Sequence, residues 1–238
     1  MLYAIGEITL VVIGILIALQ INNWNELQKN NALEKEYYCR LLEDVLVDDE
    51  QIADLLIETE SRLEASNQAA RLLQNEVSNK KDVAIAMNRG LIGVLSQFRP
   101  SDSAFEDLKS GANLNIIRDK EIVKALNNYY HKVEALNYIS INHANNMVEI
   151  WYSHRDKFAS GWIHGTMHSD RFLIGMEQDV YDNVRISDDD KLSTEMKFDV
   201  YNDALTFISS NYRRMELCQS IQTEIDLLLT MLGKKCQR

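Results

Sequence analysis

Residues 2–26 read LYAIGEITLVVIGILIALQINNWNE, and between Leu2 and Ile21 the strongly polar side chains are Glu7 and Gln20. About 20 residues rising about 1.5 Å each match the roughly 30 Å hydrocarbon core of a bilayer, so the run predicts a membrane-spanning helix. A cleaved signal peptide needs a basic segment before its apolar stretch and a small-x-small site after it. The stretch LIALQINNW supplies neither convincingly, and the reading is an uncleaved anchor. Trp24 falls at headgroup level as an interface anchor, with Asn22, Asn23 and Asn25 where the helix meets water.

At helical spacing Glu7, Val11, Gly14 and Ala18 share one stripe, and GILIA (14–18) is a small-xxx-small pair that admits a second helix at close range. An ionisable side chain facing lipid costs several kcal/mol, so it turns toward a partner, a water-filled cavity or the interface. Three readings of Glu7 follow. It snorkels to the nearby membrane surface, it packs in a self-association or docking interface, or it handles protons or ions.

The stretch YAIGEITLVVIGILIALQINNWNE resembles the opening of an uncharacterised family of single-pass envelope proteins from bacteria with two membranes. EYYCRLLEDVLVDD (36–49) and SAFEDLKSGANLNIIRDKEIVKALNNYY (103–130) are similar to two later motifs of that family, so the likeness extends over about the first 130 residues. The resemblance implies an N-terminal anchor followed by a helical domain, and no activity or catalytic residue. Met1 and Leu2 stand where family members carry a short basic segment. Lys29, Lys35 and Arg40 follow the span and no basic residue precedes it, which by the positive-inside rule alone puts the domain in the cytoplasm. The resemblance implies the opposite, an inner-membrane anchor with the domain in the periplasm, and that is the expectation carried forward.

Two segments follow: a transmembrane anchor over 1–23 and a helical bundle domain over 24–238. One proline and nine glycines in 238 residues favour long helices, and the class is all-α, a long-helix antiparallel bundle. The formal net charge of −11 disfavours nucleic acid and anionic headgroups as partners of the domain. Cys39, Cys218 and Cys236 have no CxxC spacing; one disulfide with one free thiol, and three free thiols, both remain open.

No glycine or proline lies between Gly14 and Gly90, and Leu41, Val45, Ile52, Leu55, Leu63, Leu73 and Val77 keep helical spacing. The anchor is therefore expected to continue outward as one helix to about Val77. Polar Asp48, Thr59 and Ser66 interrupt the stripe and favour a bundle over a long parallel coiled coil. SNKKD (78–82) reads as a turn, with a second helix over Val83–Gln97. Ser103 and Glu106 form a capping box, and Gly111 stands where a left-handed residue would stop the short helix. Asp119 caps a long helix reaching about Phe158, ASGWIHGTMHSD breaks it, a shorter helix runs from Arg171 to Asn183, and a last one from Thr194 to Leu232.

Candidate chemistry is sparse. His164 and His168 have the i, i+4 spacing of helical metal ligands with His154 upstream, but Gly165 and the loop-like surroundings weaken the set, and no metal is expected. SDDDK (187–191) lacks the alternating ligands and central glycine of a calcium loop and reads as a helix start. No phosphate loop, nucleophile elbow or other catalytic motif occurs, and neither an enzyme nor a cofactor is expected. Tyr129, Tyr130 and Tyr138 with Trp151 make an aromatic stripe that is either plain core or, at Tyr129, Tyr138 and Trp151, the lining of a ligand cavity. The leading reading is a membrane-anchored interaction protein, an accessory or scaffolding subunit of an envelope assembly, with itself or other membrane proteins as partner. An extracytoplasmic small-ligand module is the alternative, and a metal-dependent enzyme built on His154, His164 and His168 comes last.

Overall fold

Inward positions of the first helix follow a strict alternation of four and three: Leu41, Val45, Asp48, Ile52, Leu55, Thr59, Arg62, Ser66, Ala69 and Leu73 are all buried. That period winds one seam along the helix, against which other long helices pack. The computed structural model describes residues 2–75, 79–111, 113–154, 177–179 and 191–237. Among them are α1 (Leu2–Gln74), α2 (Lys80–Arg89), α3 (Ser103–Ser110), a 3₁₀ turn (Asn113–Ile116), α4 (Lys120–Ser153) and α5 (Thr194–Cys236). No strand occurs among the described residues, and the fold is an all-α bundle. The expected break at 159–170, most of the short helix over 171–183 and the acids of SDDDK lie outside the described residues.

The chain divides into two compact units. The first joins residues 1–48, 100–128 and 225–238 around Leu41, Val45, Phe105, Leu108, Ile122 and Leu228. The start of α3 is not closed by its own capping box. Asp102 is the N-cap without a side-chain bond, and Glu106 pairs instead with Lys109 at 2.7 Å. The acceptors come from α1: Asp44 takes the Ala104 N–H at 2.9 Å and the Ser103 hydroxyl, and Asp48 takes the Ser101 N–H at 2.7 Å. Carboxylates at a helix N-terminus gain from its dipole whichever helix carries them, so α1 does the work expected of Ser103. Gly111 is also not left-handed, at φ −77°, and its N–H bonds Asp107 within the helical hand.

Asp119 does cap α4, accepting from the Glu121 N–H at 3.2 Å, and it pairs with Lys235 at 2.8 Å. α5 continues past the expected stop at Leu232, through Gly233 to Cys236. Its last turn is held from outside: Lys235 reaches Asp119 and lies over the Tyr38 ring, and Cys236 is disulfide-bonded to Cys39 across 197 residues of sequence. Of the two cysteine patterns left open, the structure has one disulfide and one free thiol, Cys218, which is buried.

Nearby, Glu34 accepts from the Arg118 backbone N–H and Nε at 2.8 Å each and from the Tyr38 hydroxyl at 2.8 Å. Burial pushes its carboxyl up, but the bonds from Arg118 and Tyr38 together outweigh burial and hold it below its ordinary value. The unfolded chain therefore binds this proton more tightly than the folded one. The stabilisation is fully present above pH 4.5 and is lost as pH falls through the lower folded value. Glu34→Gln is expected to cost about 1 kcal/mol at neutral pH and to flatten the acid limb of a urea-midpoint-against-pH curve. An unchanged acid limb would remove Glu34 from the account.

The second unit joins residues 49–99 and 129–224. Within it α1 and α5 run antiparallel, Gln222 reaching Asp49 while Asn211 reaches Ser66, and α4 and α5 do so too, with Lys132 on Glu224 and His154 on Asp203. The leg that returns alongside α1 is helical over only about half its length. The Asn79 side chain accepts from the Lys81 N–H at 2.7 Å and starts α2 at Lys80, inside the expected turn. α2 then stops at Gly90, well before the expected Gln97, and turns followed by irregular chain lead to residue 99. A Cβ at Gly90 would meet Ser66 Oγ at 2.7 Å, so close approach to α1 fixes a glycine there, and chain reversal puts Gly93 at φ +69°.

Candidate functional site

Past Gly90 the chain keeps turn hydrogen bonds but no α-helical ones, and at positions where it packs inward its carbonyls must be satisfied from elsewhere. Here side chains of α1, α4 and α5 supply the donors. Arg214 Nη1 reaches the Val94 carbonyl at 2.5 Å and its Nη2 the Ser96 carbonyl. Arg62 Nη1 reaches the Ile92 carbonyl at 3.2 Å, Asn211 the Gly90 carbonyl at 3.2 Å, and Asn137 the Phe98 carbonyl at 2.8 Å. Arg62 Nη2 also donates to the Thr59 hydroxyl at 2.7 Å, which itself donates to the Leu55 carbonyl. Both guanidinium groups are deeply buried, Arg62 2% and Arg214 4% exposed.

Carbonyl contacts satisfy directions but supply no negative charge. The acid that reaches Arg62 is Glu58, at 3.6 Å and itself 58% exposed, and no ion pair of Arg214 occurs among the described residues. Burial, and then the charge of Arg214, push Arg62 down to about 10; burial pushes Arg214 down as well. The Cys218 thiol is pushed up to about 11 by burial, against the pull of the two arginines.

Arg62 forms the floor of an open groove of about 670 Å³, whose walls include Ile57, Glu58, Arg89, Ile92 and Ser96. Gly93 stands at its edge, where a Cβ would lie 3.4 Å from Arg62 Nη1. Gly93→Ala is expected to destabilise by about 1–2 kcal/mol, from the left-handed backbone alone, since the added Cβ would make ordinary contact with Arg62. Denaturant titration reads this, and a neutral substitution would show that residues 91–95 adapt.

The expected sites fare differently. Glu7, Val11, Gly14 and Ala18 are exposed on α1, and a Cβ at Gly14 would meet nothing within 4 Å. The apolar part of α1 is long and apolar enough to cross a membrane, with none of its span buried against the rest of the chain, and Trp24 beyond it is exposed. Tyr129 and Trp151 are buried core at inward positions of α4, whereas Tyr138, two residues past inward Leu136, is 72% exposed. Among the described residues the three rings do not line one groove. Trp151 borders a groove of about 260 Å³ with Leu91, Val94 and Tyr152, without Tyr129 or Tyr138, because a seven-residue period points those two rings to different sides of α4. His154 is buried with Nε2 2.5 Å from Asp203 Oδ2, while His164 and His168 lie outside the described residues. Among the described residues no three potential metal ligands converge.

Arg62, Arg214, Asn211 and Gly93 were not singled out from sequence. For Arg62 the signal existed: continuing the alternation of four and three from Leu41 lands on residue 62, a charged residue at a seam position.

Residues 7–89 match a family of unknown function, DUF6090. This agrees with the expectation of an uncharacterised family, over a shorter stretch than the resemblance covered: the motif at 36–49 falls inside the DUF6090 match and that at 103–130 beyond it. The matched segment holds most of the apolar run, Arg62 and α2. No curated protein and no solved structure matches the chain.

Proposed function

We propose that the protein is a membrane-anchored helical interaction subunit, accessory or scaffolding, of a cell-envelope assembly, held in the inner membrane by α1 with its helical domain in the periplasm. One observation carries the reading. The stripe of Glu7, Val11, Gly14 and Ala18 has small residues that permit close helix approach and finds no cover among the described residues. An acid on such a stripe is stabilised by a hydrogen-bond partner from a second helix, its own copy or another membrane protein's. The periplasmic placement is supported by the Cys39–Cys236 disulfide, which forms and persists in oxidising compartments, against the positive-inside count of Lys29, Lys35 and Arg40. No enzymatic role is part of the reading.

Gentle detergent extraction followed by native mass determination tests it. A homo-oligomer or a stoichiometric complex that dissociates at least tenfold more readily in Glu7→Leu is the expected result. A monomer, or an assembly indifferent to that substitution, would overturn docking through the stripe. For the topology, a membrane-impermeant thiol reagent should label Asp82→Cys, an exposed position on α2, in intact spheroplasts; labelling only after lysis would place the domain in the cytoplasm.

A further inference from the structure

We propose that the groove floored by Arg62 and edged by Gly93 binds a small organic oxyanion, a carboxylate or phosphate monoester on an apolar body, with Arg62 as its buried charge partner and Arg89 at its mouth. This assignment goes beyond the anchoring role and does not depend on it. Two guanidinium charges, on Arg62 and Arg214, are buried within one unit, and among the described residues the acid paired with either is the exposed Glu58, 3.6 Å from Arg62. A buried charge is ordinarily matched by a counter-charge, because hydrogen bonds to neutral carbonyls return only part of the lost hydration. Arg62 still has Nε buried without a hydrogen-bond partner, and Arg62 faces the groove.

The surroundings suit the same ligand. Arg89 is exposed and makes no ion pair among the described residues, and the Ser96 hydroxyl stands 3.7 Å from where a Gly93 Cβ would be. Gly93 carries no Cβ in the space 3.4 Å from Arg62 Nη1, and the planar guanidinium fork matches a carboxylate or phosphate edge. Ile57 and Ile92, 66% and 48% exposed, give an apolar wall for the ligand's body. A volume of about 670 Å³ lies within the range of small-molecule sites. Polyanions are disfavoured by Glu58 and Glu64 at the rim and by the chain's net charge of −11, which selects a small ligand over nucleic acid or a lipid surface. On binding, Glu58 swings into solvent and the anion replaces it.

The test is calorimetric titration of the full chain, disulfide intact, in a non-ionic detergent, with benzoate, phenyl phosphate and, as a cation of similar size, benzylammonium. One site per chain with a Kd of about 1 mM or tighter is expected for at least one anion, and none for benzylammonium. Tighter benzoate binding identifies a carboxylate ligand, and tighter phenyl phosphate binding a phosphate monoester. Arg89→Gln and Ile57→Glu, both at exposed positions, should each weaken binding at least tenfold with the unfolding midpoint unchanged. Absence of saturable binding by either anion, equal binding of benzylammonium, or binding indifferent to both substitutions would overturn the assignment.

Discussion

Reduction of the Cys39–Cys236 disulfide, or Cys39→Ser, is expected to lower unfolding stability by about 3–5 kcal/mol. The bond closes 197 residues of sequence, and in the chain-entropy view cross-linking so distant a pair removes more freedom from the unfolded chain than a short loop would. The folded first unit loses little by comparison, because Lys235 still bonds Asp119 and Arg118 still bonds Glu34. Guanidinium titration of the detergent-solubilised chain with and without reductant measures the difference. Cys218 is buried and unpaired, so reductant has a single target. A change below about 1 kcal/mol would mean that the cross-link does not constrain the unfolded ensemble, and the argument for an oxidising compartment would weaken with it.

Arg214→Leu is expected to cost about 3 kcal/mol. The leucine fills part of the volume, but the Val94 and Ser96 carbonyls lose their donors, and leaving the buried one at Val94 unsatisfied costs about 1–3 kcal/mol. Relief of the repulsion from Arg62 offsets some of this. The neighbouring residue is the control: Arg213 pairs with Glu216 at 3.2 Å at the half-exposed surface, and Arg213→Leu should change stability by no more than about 0.5 kcal/mol. Equal effects at 213 and 214 in urea titrations would show that the carbonyls at 94 and 96 find water or other donors.

Where local chemistry and periodicity decide structure, the sequence was readable. α1, α4 and α5 keep helical spacing of their inward positions despite polar interruptions, Thr194 begins α5 as expected, and Asp119 caps α4 through its own side chain. The errors fall where a residue distant in sequence supplies what a local signal was expected to supply. Ser103 could cap α3, but Asp44 and Asp48 reach it first; Gly233 could end α5, but Cys39 and Asp119 hold the next turn. α2 ends at Gly90 although its sequence permits another turn, because the following carbonyls are satisfied by side chains from α1, α4 and α5. The groove was hidden for a related reason. Its floor is an arginine at a seam position, where a reading by hydrophobicity records an interruption, and only the packed partners show that the charge is buried with, among the described residues, an exposed acid as its ion-pair partner.

The disulfide also decides how the chain bears mechanical load. If the anchor is pulled from the membrane side against a tether attached beyond Cys236, tension runs along α1 to Cys39, crosses the covalent bond and leaves through Cys236. The 197 residues of sequence separation form a slack loop outside that line, so the helices of the second unit, the buried arginines and the groove are shielded from the force. Reduction would put the same residues in series with the pull, turning a bypass into a chain that extends.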